Sequence, residues 1–158
     1  MAIRVSVETP LQDDVRALVE GLNAYLLPLS PLEFQFKMTV EQMAGPDTTV
    51  FVARDEDGKA VGCGALKMHE DGVGEVKRMF TLPEVRGKRV GSVLLDSIVD
   101  QARANGISRL VLETGTGPGF AGAWRLYENS GFTRCGVVLD YPDSEYSAFF
   151  EKRLVEAH

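Results

Sequence analysis

Three extended runs follow one another between residues 48 and 81, with only short turns between them. TTVFVAR (48–54) passes through Asp55-Glu56-Asp57-Gly58 into KAVGCGALKM (59–68), and VGEVKRMFT (73–81) comes after a further turn flanked by Gly72 and Gly74. Connections this short join strands as hairpins. The chain then changes period. VGSVLLDSIVDQARANG repeats apolar residues at Val90, Val93, Leu94, Ile98 and Ala102, which is helical spacing, and Asn105-Gly106 supplies a left-handed stop. SRLVLET (108–114) is a mostly apolar strand, FAGAWRLYENSG (120–131) a short helix, and 132–139 and 146–153 are two closing strands. A meander followed by a β-α-β-α unit predicts an α/β fold built on a mixed sheet covered by helices.

The N-terminal part fits the same plan. IRVSVE (3–8) alternates as a strand, and Thr9-Pro10 opens a helix, with Thr9 as its cap and Val15, Leu18, Val19 and Leu22 as its apolar face. Two prolines in LLPLSPLEF (26–34) break that helix, and a shorter one covers about 39–44 before Gly45-Pro46. The 158 residues suit a single domain, 1–158, with no internal repeat or linker.

Charge and composition narrow the partners. A formal net charge of −6 argues against nucleic acid, whose binding domains are usually basic. No apolar stretch approaches the roughly 18 residues of a membrane span, and MAIRVSVETP has no signal-peptide core, so no membrane partner and a cytoplasmic location are expected. Cys63 and Cys135 lack metal-ligand spacing and sit in apolar strands, so they read as buried free thiols, and no metal is expected.

VRGKRVGSVLL (85–95) crowds three cations and two glycines into six residues ahead of an apolar helix. The first N–H groups of a helix have no internal acceptor, and the helix dipole adds partial positive charge there. A diphosphate docked at that end satisfies the donors, Gly87 and Gly91 allow close approach, and Arg86, Lys88 and Arg89 add charge. The same residues also suit a solvated basic turn. A second glycine cluster, GPGFAG (117–122), matches Gly-x-Gly-x-x-Gly, with Asp140 18 residues past Gly122. Pro118 removes a donor there, and the chain that remains is too short for the further βα units of a dinucleotide-binding fold.

VKRMFTLPEVRGKRVGSVLL resembles the acyl-CoA motif of the GNAT superfamily of N-acetyltransferases, in which a strand leads into a Gln/Arg-x-x-Gly-x-Gly/Ala loop and a helix. AWRLYENSGF (123–132) resembles that family's later A-x-x-L-Y-x-x-x-G-F motif. The resemblance covers roughly 48–153 and, in its closing part, is similar to a subgroup of small bacterial members. It departs in three places: the motif's middle glycine is Arg89, Phe120 stands seven residues before the motif tyrosine, where many members have Asn, and the loop 115–121 is longer than usual. The fold implied is a mixed, mostly antiparallel, twisted sheet of about seven strands with about four helices. Its fourth and fifth strands are parallel and splay apart. Many relatives are dimers, and nothing in the sequence singles out an interface for a homodimer.

The activity implied is transfer of an acetyl group from acetyl-CoA to an amine by direct attack through a tetrahedral intermediate. The acceptor is a small molecule, amino acid or peptide. The resemblance assigns the cofactor loop to Arg86, Gly87, Lys88, Arg89, Val90, Gly91 and Ser92, and runs the pantetheine arm along the backbone of Met79, Phe80 and Thr81. An alkyl amine is almost wholly protonated at neutral pH, and exposing its lone pair costs about 4 kcal/mol, so a general base matters more than an acid. Glu75 and Glu113 match base positions of different members, and Tyr127 stands where the family's general acid stands. Tyr25–Phe36 and the loop 137–146, with Tyr141 and Tyr146, are expected to shape the acceptor end, with Glu33, Asp140, Asp143 and Glu145 as an acidic rim. A non-catalytic acyl-CoA sensor on the same fold is the alternative.

Overall fold

In the computed structural model, which describes residues 2–154, alternation in the second strand explains the layering. Within β2 (Thr48–Arg54), Val50 and Val52 pack against one set of helices, while Phe51 and Ala53 pack against the other. Successive strand side chains point to opposite faces, so a strand buried on both faces must be apolar throughout. The first face is covered by α1 (Asp13–Leu26) and α2 (Val40–Met43), through Val15, Leu18, Val19 and Met43. The second is covered by α3 (Val90–Ala104), whose Val90, Leu94, Leu95, Ile98, Val99 and Ala102 are all buried. Burying its five larger side chains contributes on the order of 10 kcal/mol before entropy is subtracted. The short α4 (Ala121–Asn129) joins the same cluster through Tyr127.

The other strands are β1 (Arg4–Val7), β3 (Ala60–Met68), β4 (Val73–Thr81), β5 (Arg109–Gly115), β6 (Thr133–Cys135) and β7 (Ser147–Arg153). They form one seven-stranded sheet in the order β1-β2-β3-β4-β5-β7-β6. Every pairing is antiparallel except β4 with β5. The mixed sheet with helices on both faces is the architecture expected from the sequence, and the order excludes a doubly wound dinucleotide fold.

Two irregularities prepare the site. The parallel ladder between β4 and β5 covers just Val73–Glu75 and Arg109–Val111. Beyond it the two strands separate, β4 staying with β3 and β5 with β7. Within β4, Lys77 pairs with Ala65 and Phe80 with Cys63, so Arg78 and Met79 together oppose Gly64. This is a β-bulge, and Arg78 takes a left-handed φ of 57° to form it.

Several boundaries differ from the sequence expectation. The first helix starts at Asp13 with Gln12 at the cap position. Thr9 instead accepts a hydrogen bond from the Leu11 N–H inside the preceding turn, because a threonine oxygen closes a local turn as readily as it caps. The penultimate strand is three residues, not 132–139. The strand expected at 73–81 does match β4. Cys63 is buried as expected, whereas Cys135 on the short β6 is partly exposed. The second helix does carry its capping box, with Thr39 accepting from the Gln42 N–H.

Candidate active site

The gap between β4 and β5 opens into a cleft of about 650 Å³. One end is built by the loop ahead of α3. A 3₁₀ turn, Pro83–Val85, ends in extended Arg86, and Arg89 then enters the helix at φ 66° with no side-chain cap. The first intrahelical bond runs from the Val93 N–H to the Arg89 carbonyl, 3.1 Å, so the amides of Val90, Gly91 and Ser92 precede any intrahelical acceptor. Arg86, Gly87, Arg89, Gly91 and Ser92 line the cleft beside these amides, and such a set suits a diphosphate. Lys88 is exposed but does not line it, and Val90 turns its side chain into the core.

Arg89 occupies a left-handed position that glycine adopts without strain, which is the cost of departing from the motif there. Gly91 serves packing as well: a Cβ at that position would stand 3.2 Å from Leu126 Cδ2 on α4. The Arg86 guanidinium lies over the rings of Tyr25, at 5.3 Å, and Phe80, at 6.0 Å. Tyr25 in turn donates its hydroxyl to the Gly119 carbonyl, 2.6 Å, so α1 roofs the cleft.

Met79, Phe80 and Thr81, just after the bulge, line the middle of the cleft, as do Glu75, Glu113 and Tyr127. The fold thus brings together the three groups that the sequence singled out for proton transfer, from β4, β5 and α4. Their environments differ. Glu75 is 2% exposed, and both of its oxygens are engaged. Oε1 is 2.9 Å from His69 Nε2, while Oε2 is 3.3 Å from Lys77 Nζ and accepts from the Tyr141 hydroxyl. Lys77 also donates to Tyr141, at 2.8 Å.

Glu113 is half-buried, and Ser147 donates to it at 2.8 Å. Burial pushes its pKa above the ordinary carboxylate value, against the Ser147 bond and the charge of Lys77. Tyr127 packs its ring on Phe132 and Phe150. Burial, and then the charge of Glu113, push its phenol well above the usual value, so it stays protonated at neutral pH.

The far end has an aromatic wall. Phe34, Phe36 and Tyr141 line it, with Phe36 packed on Tyr141 at 5.1 Å between centroids, whereas Tyr146 packs on Phe34 at 5.0 Å without itself lining the cleft. The acidic rim is not borne out. Glu33, Asp140, Asp143 and Glu145 are exposed and stand outside the cleft wall, which carries Lys37, Lys77 and Arg78 instead. Sequence reasoning passed over His69, Ser147, Gln35 and Arg78. The signal for Arg78 was its place in VKRMF, in the strand that leads to the anion loop.

Comparison with known proteins accords with this geometry. Residues 16–132 match a family described as the acetyltransferase (GNAT) family. An IAA acetyltransferase of Azospirillum brasilense is 42% identical over 153 residues, covering 96% of this chain and 98% of the relative. A crystal structure of a candidate acyl-CoA N-acyltransferase from Klebsiella pneumoniae superposes with a TM-score of 0.81 at 29% identity, covering 97% and 98% of the two chains. A PaiA N-acetyltransferase of Thermoplasma acidophilum, solved in complex with coenzyme A, shares the fold with a TM-score of 0.74 at 17% identity over 97% and 99% of the chains.

Proposed function

Because this chain belongs to the GNAT acetyltransferase family, we propose that it moves an acetyl group from acetyl-CoA to an amine acceptor. The observation that carries the reading is the meeting of unpaired α3 amides and cations at one end of the cleft with Glu113 and Tyr127 at its middle. A sensor would need the first feature and not the second.

In this reading the amides of Val90, Gly91 and Ser92, with Arg86 and Arg89, hold the diphosphate of the donor. The bulge at Arg78–Met79 turns the following backbone of β4 toward the splay, where an N–H of Met79–Thr81 polarises the thioester oxygen. Glu113 takes the proton from the acceptor ammonium. Its raised pKa brings it nearer the working pH, which suits a base. Glu75 holds Lys77 and Tyr141 in place, since both of its oxygens are already engaged. The freed amine attacks the acyl carbon, the carbon–nitrogen bond forms, and the carbon–sulfur bond breaks. As the tetrahedral intermediate collapses, the nitrogen gives up a second proton; the departing sulfur, hydrogen-bonded by Tyr127, takes up one proton and leaves as the CoA thiol, and Glu113 passes the other to water.

Isothermal titration tests the anion end. Wild-type protein is expected to bind acetyl-CoA, and Arg86→Ala to bind it about tenfold more weakly. Failure of the wild type to bind acetyl-CoA would end this reading.

A further inference from the structure

Two charged side chains are buried among the described residues, Glu75 and Arg78. Glu75 is surrounded by His69, Lys77 and Tyr141. Arg78, 8% exposed, has no counter-charge among the described residues. Its Nη2 donates to the Asn23 side-chain oxygen on α1, and its Nε is buried without a partner. A guanidinium stays charged in proteins, so it cannot escape the cost of burial by losing its proton. The backbone adds a second cost, because Arg78 holds a left-handed φ at the bulge. Desolvation presses its pKa down, and no carboxylate opposes that effect.

Arg78 lines the cleft, and so does a second unsatisfied group. Gln35 spends its amide nitrogen on the carbonyls of Leu26, Leu27 and Ser30, and its Oε1 is buried with no donor. Glu113 has one neutral partner, Ser147. Among the described residues the walls therefore carry a guanidinium without an anion partner and a carboxylate, Glu113, without an ion pair. A ligand with a carboxylate and an ammonium group complements both. Lys37, also in the wall, adds positive charge to the acceptor end.

We propose that the acceptor is an amine that itself carries a carboxylate, and that Arg78 binds this carboxylate. The inference rests on the acetyltransferase reading and narrows it. Glu113 then meets the ammonium end, and Phe34, Phe36 and Tyr141 close around the remainder. Guanidinium and carboxylate match as a two-pronged pair, which a neutral amine cannot reproduce. The same carboxylate chemistry could reside instead on the acyl donor, so the test carries an arm for each source.

The experiment is a panel of the common amino acids, each beside its decarboxylated amine, with acetyl-CoA as donor and released CoA thiol as the readout. The same amines are run with succinyl-CoA. At least one amino acid is expected to be acetylated with a kcat/KM about 30-fold or more above that of its decarboxylated partner. Arg78→Met should collapse that ratio toward one by raising KM for the amino acid, and Arg78→Lys should restore part of it. Arg78→Met removes an uncompensated buried charge, so its Tm should be no lower than wild type. If it fails to fold, the wild-type ratio and Arg78→Lys decide. Decarboxylated amines that react as well as amino acids overturn the assignment and leave the acetyltransferase reading intact. A preference for succinyl-CoA over acetyl-CoA that vanishes in an Arg78 variant overturns it in favour of the donor. Absence of CoA release with every amine and amino acid overturns both.

Discussion

Ser147 on β7 donates its hydroxyl to the carboxylate of Glu113 on β5 at 2.8 Å, across the paired edge of β5 opposite β4. This neutral bond holds the carboxylate in place without compensating its burial, and burial wins: the folded pKa of Glu113 lies above the unfolded one. Ionisation of Glu113 therefore favours the unfolded chain. The stability linked to this group is whole below the unfolded pKa and is lost as pH rises through the folded value. Glu113→Gln should raise Tm at pH 8 relative to wild type, with the difference fading toward pH 4. The same variant should lose about 10²- to 10⁴-fold in kcat. A pH series of thermal melts and a steady-state assay check both halves.

Tyr127→Phe should lower kcat by about 10- to 100-fold, the worth of a hydrogen bond to a developing thiolate. Its acetyl-CoA affinity should stay within about twofold of wild type, since the ring keeps its contacts with Phe132 and Phe150. Unchanged kcat in a thiol-release assay removes Tyr127 from the reaction.

Arg89→Gly relieves a left-handed residue at the start of α3. Set against the greater freedom of glycine in the unfolded chain, the net gain should be about 0.5–1 kcal/mol, or a Tm rise of about 1–4 °C. Acetyl-CoA binding should weaken several-fold, because a cation leaves the anion end. Calorimetry reads both. A fall in Tm would mean that the Arg89 side chain contributes more to the fold than its backbone costs.

Arg54 bonds both oxygens of Glu8 and also reaches Asp14, tying β1, α1 and β2 together. The Arg54 bond is the main reason that the Glu8 pKa is lowered to about 2. This contribution is present above the ordinary carboxylate pKa near 4.5 and is lost as pH falls toward 2. Glu8→Gln should cost about 1 kcal/mol at pH 7, discounted for partial exposure, and almost nothing at pH 2. Urea unfolding at the two pH values measures it.

The elements were legible because local rules govern them. The turn at Asp55–Gly58 and the stop at Asn105-Gly106 need no distant partner, and both stand where the sequence put them. The loop Arg86–Ser92 was legible for the same reason, since a strand, a basic glycine loop and a helix are consecutive in the chain. The extra residue at Arg78–Met79 was not. A bulge is a relation between two strands, and nothing in VKRMF alone says that Gly64 will face two residues.

The acidic rim failed on similar grounds. Charge near a loop in sequence says little about which way it faces, and those four carboxylates turned to water while Lys37, Lys77 and Arg78 turned inward. By itself the sequence determined the succession of strands and helices, and it singled out the basic glycine loop at Arg86–Ser92 and the side chains of Glu75, Glu113 and Tyr127. Tertiary structure decided the surroundings in which those groups stand. Desolvation and pairing depend on neighbours far apart in the chain: Tyr141, 66 residues away, occupies Glu75, Ser147, 34 residues away, meets Glu113, and no described residue neutralises Arg78. A side chain carries its charge from the sequence, but what that charge can do is set by whatever surrounds it once water has been removed.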